Sequence, residues 1–99
     1  MKMEIERVQN VWESLSDSPE EAANMTMRST LLLAISDAVK GWGLPQAHAA
    51  AQLEITQPRL NDLLRGRISK FSLDALVNLA TRAGLVVHVD VRGKDKAAA

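Results

Sequence analysis

Leu44-Pro45-Gln46-Ala47-His48-Ala49-Ala50-Ala51-Gln52-Leu53-Glu54-Ile55-Thr56-Gln57-Pro58-Arg59-Leu60-Asn61-Asp62-Leu63-Leu64-Arg65-Gly66 is the stretch on which the reading of this chain turns. Leu44-Pro45 opens an Ala-rich helix that the pattern carries to about Leu53. Thr56 is a good N-cap for a second helix, which runs to Arg65 and ends at Gly66, a residue suited to a helix C-terminus. Only a couple of residues join the two helices. Such a link lets them cross steeply only if they approach closely, so a small residue is needed at the crossing, and Ala50 supplies it. Ala49, Leu53, Ile55, Leu60 and Leu63 fall on the faces that must pack inward. Gln57, Arg59, Asn61, Asp62 and Arg65 are left on the outer side of the second helix. All five are hydrogen-bonding side chains able to reach base edges or phosphates.

Upstream, Ser18-Pro19-Glu20-Glu21 reads as a capping box, with Pro19 at the first helical position and two carboxylates at the positive end of the helix dipole. The helix it starts is expected to run to about Val39 or Lys40, with Gly41 and Gly43 ending it, Leu31, Ile35, Ala38 and Trp42 facing the core and Met25 and Met27 at its edge. On the other side, Ser72 caps a helix expected to bury Leu73, Leu76, Val77, Ala80 and Ala83, ended by Gly84. Residues 85–91 then read as a strand, Leu85, Val87, Val89 and Val91 alternating onto one face. Residues 3–16 place Ile5, Val8, Trp12 and Leu15 at helical spacing, a short amphipathic helix that needs a surface to dock on. The expected organisation is an acidic arm over 1–17, one domain over 18–92 and a disordered tail over 93–99. The expected fold is all-α: a bundle of about five helices with a short C-terminal strand.

Composition limits the alternatives. With 99 residues the chain is one domain plus tails, and it has no Cys, which removes disulfide and thiolate chemistry. The longest apolar run, Leu31 to Ile35, is too short for a membrane span, and no export signal is expected at the start. These features fit a cytoplasmic protein. Net charge is zero, yet its distribution is uneven. Residues 1–24 carry Glu4, Glu6, Glu13, Asp17, Glu20 and Glu21 against Lys2 and Arg7. Residues 59–70 carry Arg59, Arg65, Arg67 and Lys70 against Asp62. His48 and His88 lack the companions of a metal site, Ser36-Asp37 lacks a nearby base, and Glu20-Glu21 is a capping pair. No enzyme, metal or cofactor is therefore expected.

Two helices so joined have the geometry of a helix-turn-helix, whose second helix enters the major groove of DNA. The run Leu44-Pro45-Gln46, Ala50, Leu53, Ile55-Thr56-Gln57, Leu60, Leu63 and Arg65-Gly66 resembles the Xre/Cro family of phage-repressor-type domains. Asn10-Val11-Trp12-Glu13, Ser18 to Asn24, Thr56-Gln57-Pro58-Arg59 and Phe71 to Val77 resemble HigA-type antitoxins. That resemblance implies a lambda-repressor-like bundle, repression of the protein's own operon, and neutralisation of a small basic RelE/HigB-like ribonuclease toxin. It also implies that Gln46 contacts a phosphate, that the amides after Thr56 favour phosphate, and that Gln57, Pro58 and Asp62 face bases. Arg59 suits either a guanine or a phosphate. Arg67 and Lys70, at the exit of the second helix, suit phosphate. Two residues depart from the family pattern: Glu54 stands where Gly is usual in the turn, and Pro45 replaces a Ser or Thr N-cap.

Three functions fit these residues: an autoregulating antitoxin, a stand-alone or phage-type regulator, and a protein-interaction module on the same fold. The acidic arm favours the first, since Ile5, Val8, Trp12 and Leu15 on an acidic segment suit a basic toxin. Family members bind near-palindromic double-stranded DNA as homodimers. Here Leu85, Val87, Val89 and Val91 are the expected self-pairing strand, because the chain supplies no clear second strand. Pairing with residues 3–8, or with a toxin, are the competing readings.

Overall fold

The computed structural model describes residues 18–93. These hold four α-helices and one 3-10 turn: α1 Pro19–Trp42, α2 Gln46–Leu53, α3 Gln57–Leu64, the turn Ile68–Lys70, and α4 Leu73–Arg82. Each start is chemically marked. The Ser18 Oγ accepts the Glu21 N–H at 3.1 Å, the Thr56 Oγ1 accepts the Arg59 N–H at 3.2 Å, and the Ser72 Oγ accepts the Ala75 N–H at 3.1 Å. Each bond satisfies one of the amides that a helix start leaves open. α1 ends on Gly43 in the left-handed region, with φ 65°.

α1 packs chiefly on α4 and α2 on α3, with further contacts from α1 to α3 and to the 3-10 turn, and from α2 to α4. The core gathers Leu32, Ile35 and Val39 of α1, Ala49, Ala50 and Leu53 of α2, Leu60 and Leu63 of α3, Phe71, and Leu76, Leu79 and Ala80 of α4. Phe71, Ile35, Leu53, Leu60, Leu63 and Leu76 are its largest fully buried side chains; each contributes about 1.5–3 kcal/mol through burial. Ala49 and Ala50 of α2 are both buried in the core.

Several expectations are corrected. The buried stripe of α1 is Leu32, Ile35, Ser36 and Val39, with Ala22 and Thr26 nearer its start. Leu31 and Trp42 pack at the edge of the cluster and Ala38 is half-buried. A helix that touches α4, α3 and the 3-10 turn is covered over more than one stripe, and its centre lies about one position beyond the expected one. The same holds for α4, where Leu79 is buried and Leu73, Val77 and Ala83 are only half-buried. Four α-helices, not about five, are present among the described residues; the segment expected to form a further helix, residues 3–16, lies outside them. With it lie Ile5, Val8, Trp12 and Leu15.

The C-terminal strand is also corrected: no strand occurs among the described residues. Leu85 and Val87 pack against the core, whereas Val86, Val89 and Val91 are exposed. The alternation expected at 85–87 is therefore present, but the segment pairs with no other segment among the described residues. A strand is defined by a ladder to a neighbour, and the described chain provides none.

Candidate nucleic-acid interface

α2 ends in a turn that sets the direction of α3. Glu54 adopts φ 60° and ψ 40°, the left-handed conformation. Its N–H donates to the Ala51 carbonyl at 3.1 Å, and the Ile55 N–H donates to the Ala50 carbonyl at 3.0 Å. This is the paired closure of a Schellman motif. A non-glycine residue in this conformation costs about 1–2 kcal/mol. Arg82 of α4 braces the turn, its Nη1 donating to the Leu53 carbonyl at 3.3 Å and its Nε lying 4.0 Å from the Glu54 Oε1. α3 closes in the same way around Gly66, φ 75°, with the Gly66 N–H on the Leu63 carbonyl and the Arg67 N–H on the Asp62 carbonyl, both at 3.0 Å.

Leu60 and Leu63 fix the inner side of α3. Gln57, Asn61 and Arg65 then follow at i, i+4 and i+8 on one outer face, with Pro58 and Asp62 beside them. Gln57, Pro58 and Arg65 are exposed, and Asn61 and Asp62 half-buried. Among the described residues the side chains of Gln46, Gln57, Asn61, Arg65 and Lys70 make no hydrogen bond or ion pair. Asp62 differs, since its Oδ1 accepts from the Arg67 Nη1 at 3.3 Å. Gln46, at the first position of α2, is exposed. Thr56 spends its hydroxyl on the cap of α3.

Arg59 turns away from that outer face. Its guanidinium lies 4.2 Å from the centroid of the Phe71 ring, and its Nη1 donates to the Lys70 carbonyl at 2.9 Å. Arg28 of α1 donates from Nη1 to the next carbonyl, that of Phe71, at 3.2 Å, while its Nε donates to the Asn24 Oδ1 at 2.6 Å. Two arginines from two helices thus hold adjacent carbonyls of the loop that follows α3, and the buried Phe71 ring is the seat for one of them. The loop carries Arg67 and Lys70, both exposed. Sequence reasoning missed Arg28, Arg82 and Phe71 as parts of this site. The available signal was the chain's single Phe directly after a basic stretch. Nothing in the sequence marks Arg82.

The helix starts also differ in charge. α1 carries Glu20 and Glu21 in its first turn and α4 carries Asp74, whereas α2 and α3 carry no acidic residue there. The positive ends of α2 and α3 are thus left uncompensated by side-chain carboxylates.

A short helix, a tight left-handed turn and a second helix with an open polar face define a DNA-binding helix-turn-helix domain. The chain matches a family model described as a helix-turn-helix domain over residues 14–92, and it belongs to that family. No curated protein matches the chain. No helix among the described residues is long and apolar enough to cross a membrane.

Proposed function

We propose that this protein is a sequence-specific transcriptional repressor that lays α3 in the major groove of double-stranded DNA. The observation that carries the reading is the outer face of α3. There Gln57, Asn61 and Arg65 have no partner within the described residues, on a helix whose other side is fully engaged in the core. An amide side chain such as Gln57 can read adenine through two hydrogen bonds, and Asn61 one turn on can read a neighbouring base. Pro58 packs against the groove wall. The acid-free starts of α2 and α3, with Gln46 and Thr56, suit backbone phosphates. Arg65, Arg67 and Lys70 add charge that favours any DNA sequence. Asp62 holds Arg67 in place. Arg59 is a positioning residue here, acting through the loop it grips. This function needs no cofactor and no catalytic step.

One α3 covers only a few base pairs. Binding two half-sites about 34 Å apart on one face of the duplex requires a two-fold pair of domains and a near-palindromic operator. Within this class, the likeness of Ser18 to Asn24 and Phe71 to Val77 to HigA-type antitoxins, together with the acidic balance of residues 1–24, supports an antitoxin that represses its own operon and binds a small basic ribonuclease toxin. A stand-alone Xre-type or phage-type regulator is the second reading. A basic toxin gene beside this one separates them.

The test is promoter binding by Gln57→Ala, whose side chain is exposed and makes no hydrogen bond or ion pair among the described residues, so that its loss should leave the fold intact. Affinity should fall by about 1–3 kcal/mol, with relaxed preference at one base pair. Unchanged affinity and preference, with the same melting curve, would refute the reading of bases by α3. For the finer assignment, removal of residues 1–16 should abolish toxin binding while promoter affinity is kept.

A further inference from the structure

α1 lacks the charged outer face usual for a helix at a protein surface. Between Ala22 and Ser36 its only charged residue is Arg28, whose guanidinium is spent on the Phe71 carbonyl and the Asn24 side chain. A helix so nearly free of charge all round needs cover on more than one side. The core takes the side of Leu32, Ile35 and Val39. Ala22, Thr26, Thr30 and Leu33 form a second stripe, at i, i+4, i+8 and i+11, on another side. Ala22 is only 4% exposed although it lies outside the core cluster, whereas Leu33, at the far end of the stripe, is 43% exposed. The hydroxyls of Thr26 and Thr30 donate to the Ala22 and Thr26 carbonyls at 2.8 and 2.9 Å, so neither needs water and the stripe is apolar in effect. It stops at Leu33, since Asp37 and Lys40 take its next turns.

We infer that residues 3–16 of the same chain cover this stripe, as a helix antiparallel to α1. Asp17 is joined directly to Ser18, the N-cap of α1, and a link of two or three residues returns one helix along the next. The lengths agree: Pro19 to Leu33 rises about 21 Å, and residues 3–16 as a helix span about the same. The apolar row fits too. Leu15 comes to the start of the stripe, Trp12 over Ala22 and Thr26, Val8 beside Thr30, and Ile5 at Leu33, so that large side chains meet small ones. A tether this short holds the arm at an effective concentration on the order of millimolar, ahead of any second molecule. On the opposite face of the arm Glu6, Glu13 and Asp17 recur at i, i+7 and i+11, and docking turns that acidic row outward. This deepens the antitoxin reading by giving the basic partner the row of Glu6, Glu13 and Asp17 in place of the Trp12 row, and it rests on that reading for the partner alone.

The test needs only the full-length protein. The chain has two Trp, so Trp42→Phe leaves Trp12 as the single fluorophore. In that background acrylamide should quench Trp12 several-fold less in buffer than in urea, to the same degree at every protein concentration. Thr30→Glu, which sets a charge in the middle of the stripe, should raise quenching toward the urea value with the circular dichroism of a folded helical domain kept. Leu33→Glu is an exposed change that spares the core, and should raise it part of the way. Glu6→Gln with Glu13→Gln should leave quenching and melting unchanged. Trp12 as accessible in buffer as in urea, or indifferent to both stripe variants, would overturn the inference. So would protection that grows with protein concentration, which assigns the stripe to another copy, or a response to the Gln pair, which puts the acidic row against α1. Trp12 exposed in a protein that still bound the promoter and a basic toxin would refute the docking alone. Trp12 protected in a protein that bound neither would uphold the docking and refute the functional reading.

Discussion

The turn region around α3 and the segment after α4 treat their backbone polar groups in opposite ways. From Leu53 to Phe71, carbonyls are held by side chains from distant parts of the chain: Leu53 by Arg82, Lys70 by Arg59, Phe71 by Arg28. α2 and α3 each end in a pair of closing hydrogen bonds. From Val86 to Gly93 the main chain makes no such bond among the described residues. The first region is preorganised, which suits a surface that meets a fixed object such as a duplex, because little ordering cost is left to the moment of binding. The second is open. The arginines follow the same division: Arg28, Arg59 and Arg82 serve internal carbonyls, while Arg65 and Lys70 remain available.

The strongest way to break the closed region is at the ring beneath Arg59. Phe71→Ala should cost about 3–5 kcal/mol of stability, read from urea unfolding, since it empties a fully buried aromatic site and removes the seat of the guanidinium. An effect below about 1 kcal/mol would mean that the loop is not anchored there.

The next effect concerns the charges that the closed loop presents. Arg67→Gln with Lys70→Gln should weaken binding to all DNA sequences alike and flatten the slope of log affinity against log salt by about 1–2. A changed base preference with an unchanged slope would move these residues from phosphates to bases.

The smallest effect sharpens the comparison inside the closed region, where Glu54 and Gly66 hold the same left-handed turn with different residues. Glu54→Gly should raise stability by about 0.5–1 kcal/mol in thermal melting, because relief of the left-handed strain exceeds the loss of an exposed 4.0 Å ion pair. Gly66→Ala should lower it by about 1 kcal/mol: a Cβ there meets nothing within 4 Å, so the cost is that of the backbone conformation alone. Opposite signs at the two sites confirm that the turn geometry, not the side chain, is what each position supplies.

Much of this organisation was legible in local chemistry. Ser18, Thr56 and Ser72 announced three helix starts, and Gly43, Gly66 and Gly84 three ends, since caps and left-handed turns depend on one residue and its near neighbours. The small residues at 49–50 and the inward leucines at 53, 60 and 63 were legible because helical periodicity sorts them. The outer row of α3 followed as the remainder. Which stripe of α1 is central was not legible. It depends on how many elements lie against that helix, and a one-dimensional pattern counts none of them.

The four described helices, their caps and the polar face of α3 follow from the order of residues alone, because each rests on interactions within a few positions. The direction of Arg59 is set by contacts made across the folded chain. The ring and the carbonyl that draw it inward stand 12 and 11 positions along the chain, and they come within reach only once the loop after α3 folds back. The tertiary structure likewise left residues 85–91 without a ladder: strand propensity is local, but a strand needs a partner, and the described chain holds no second strand to pair with it.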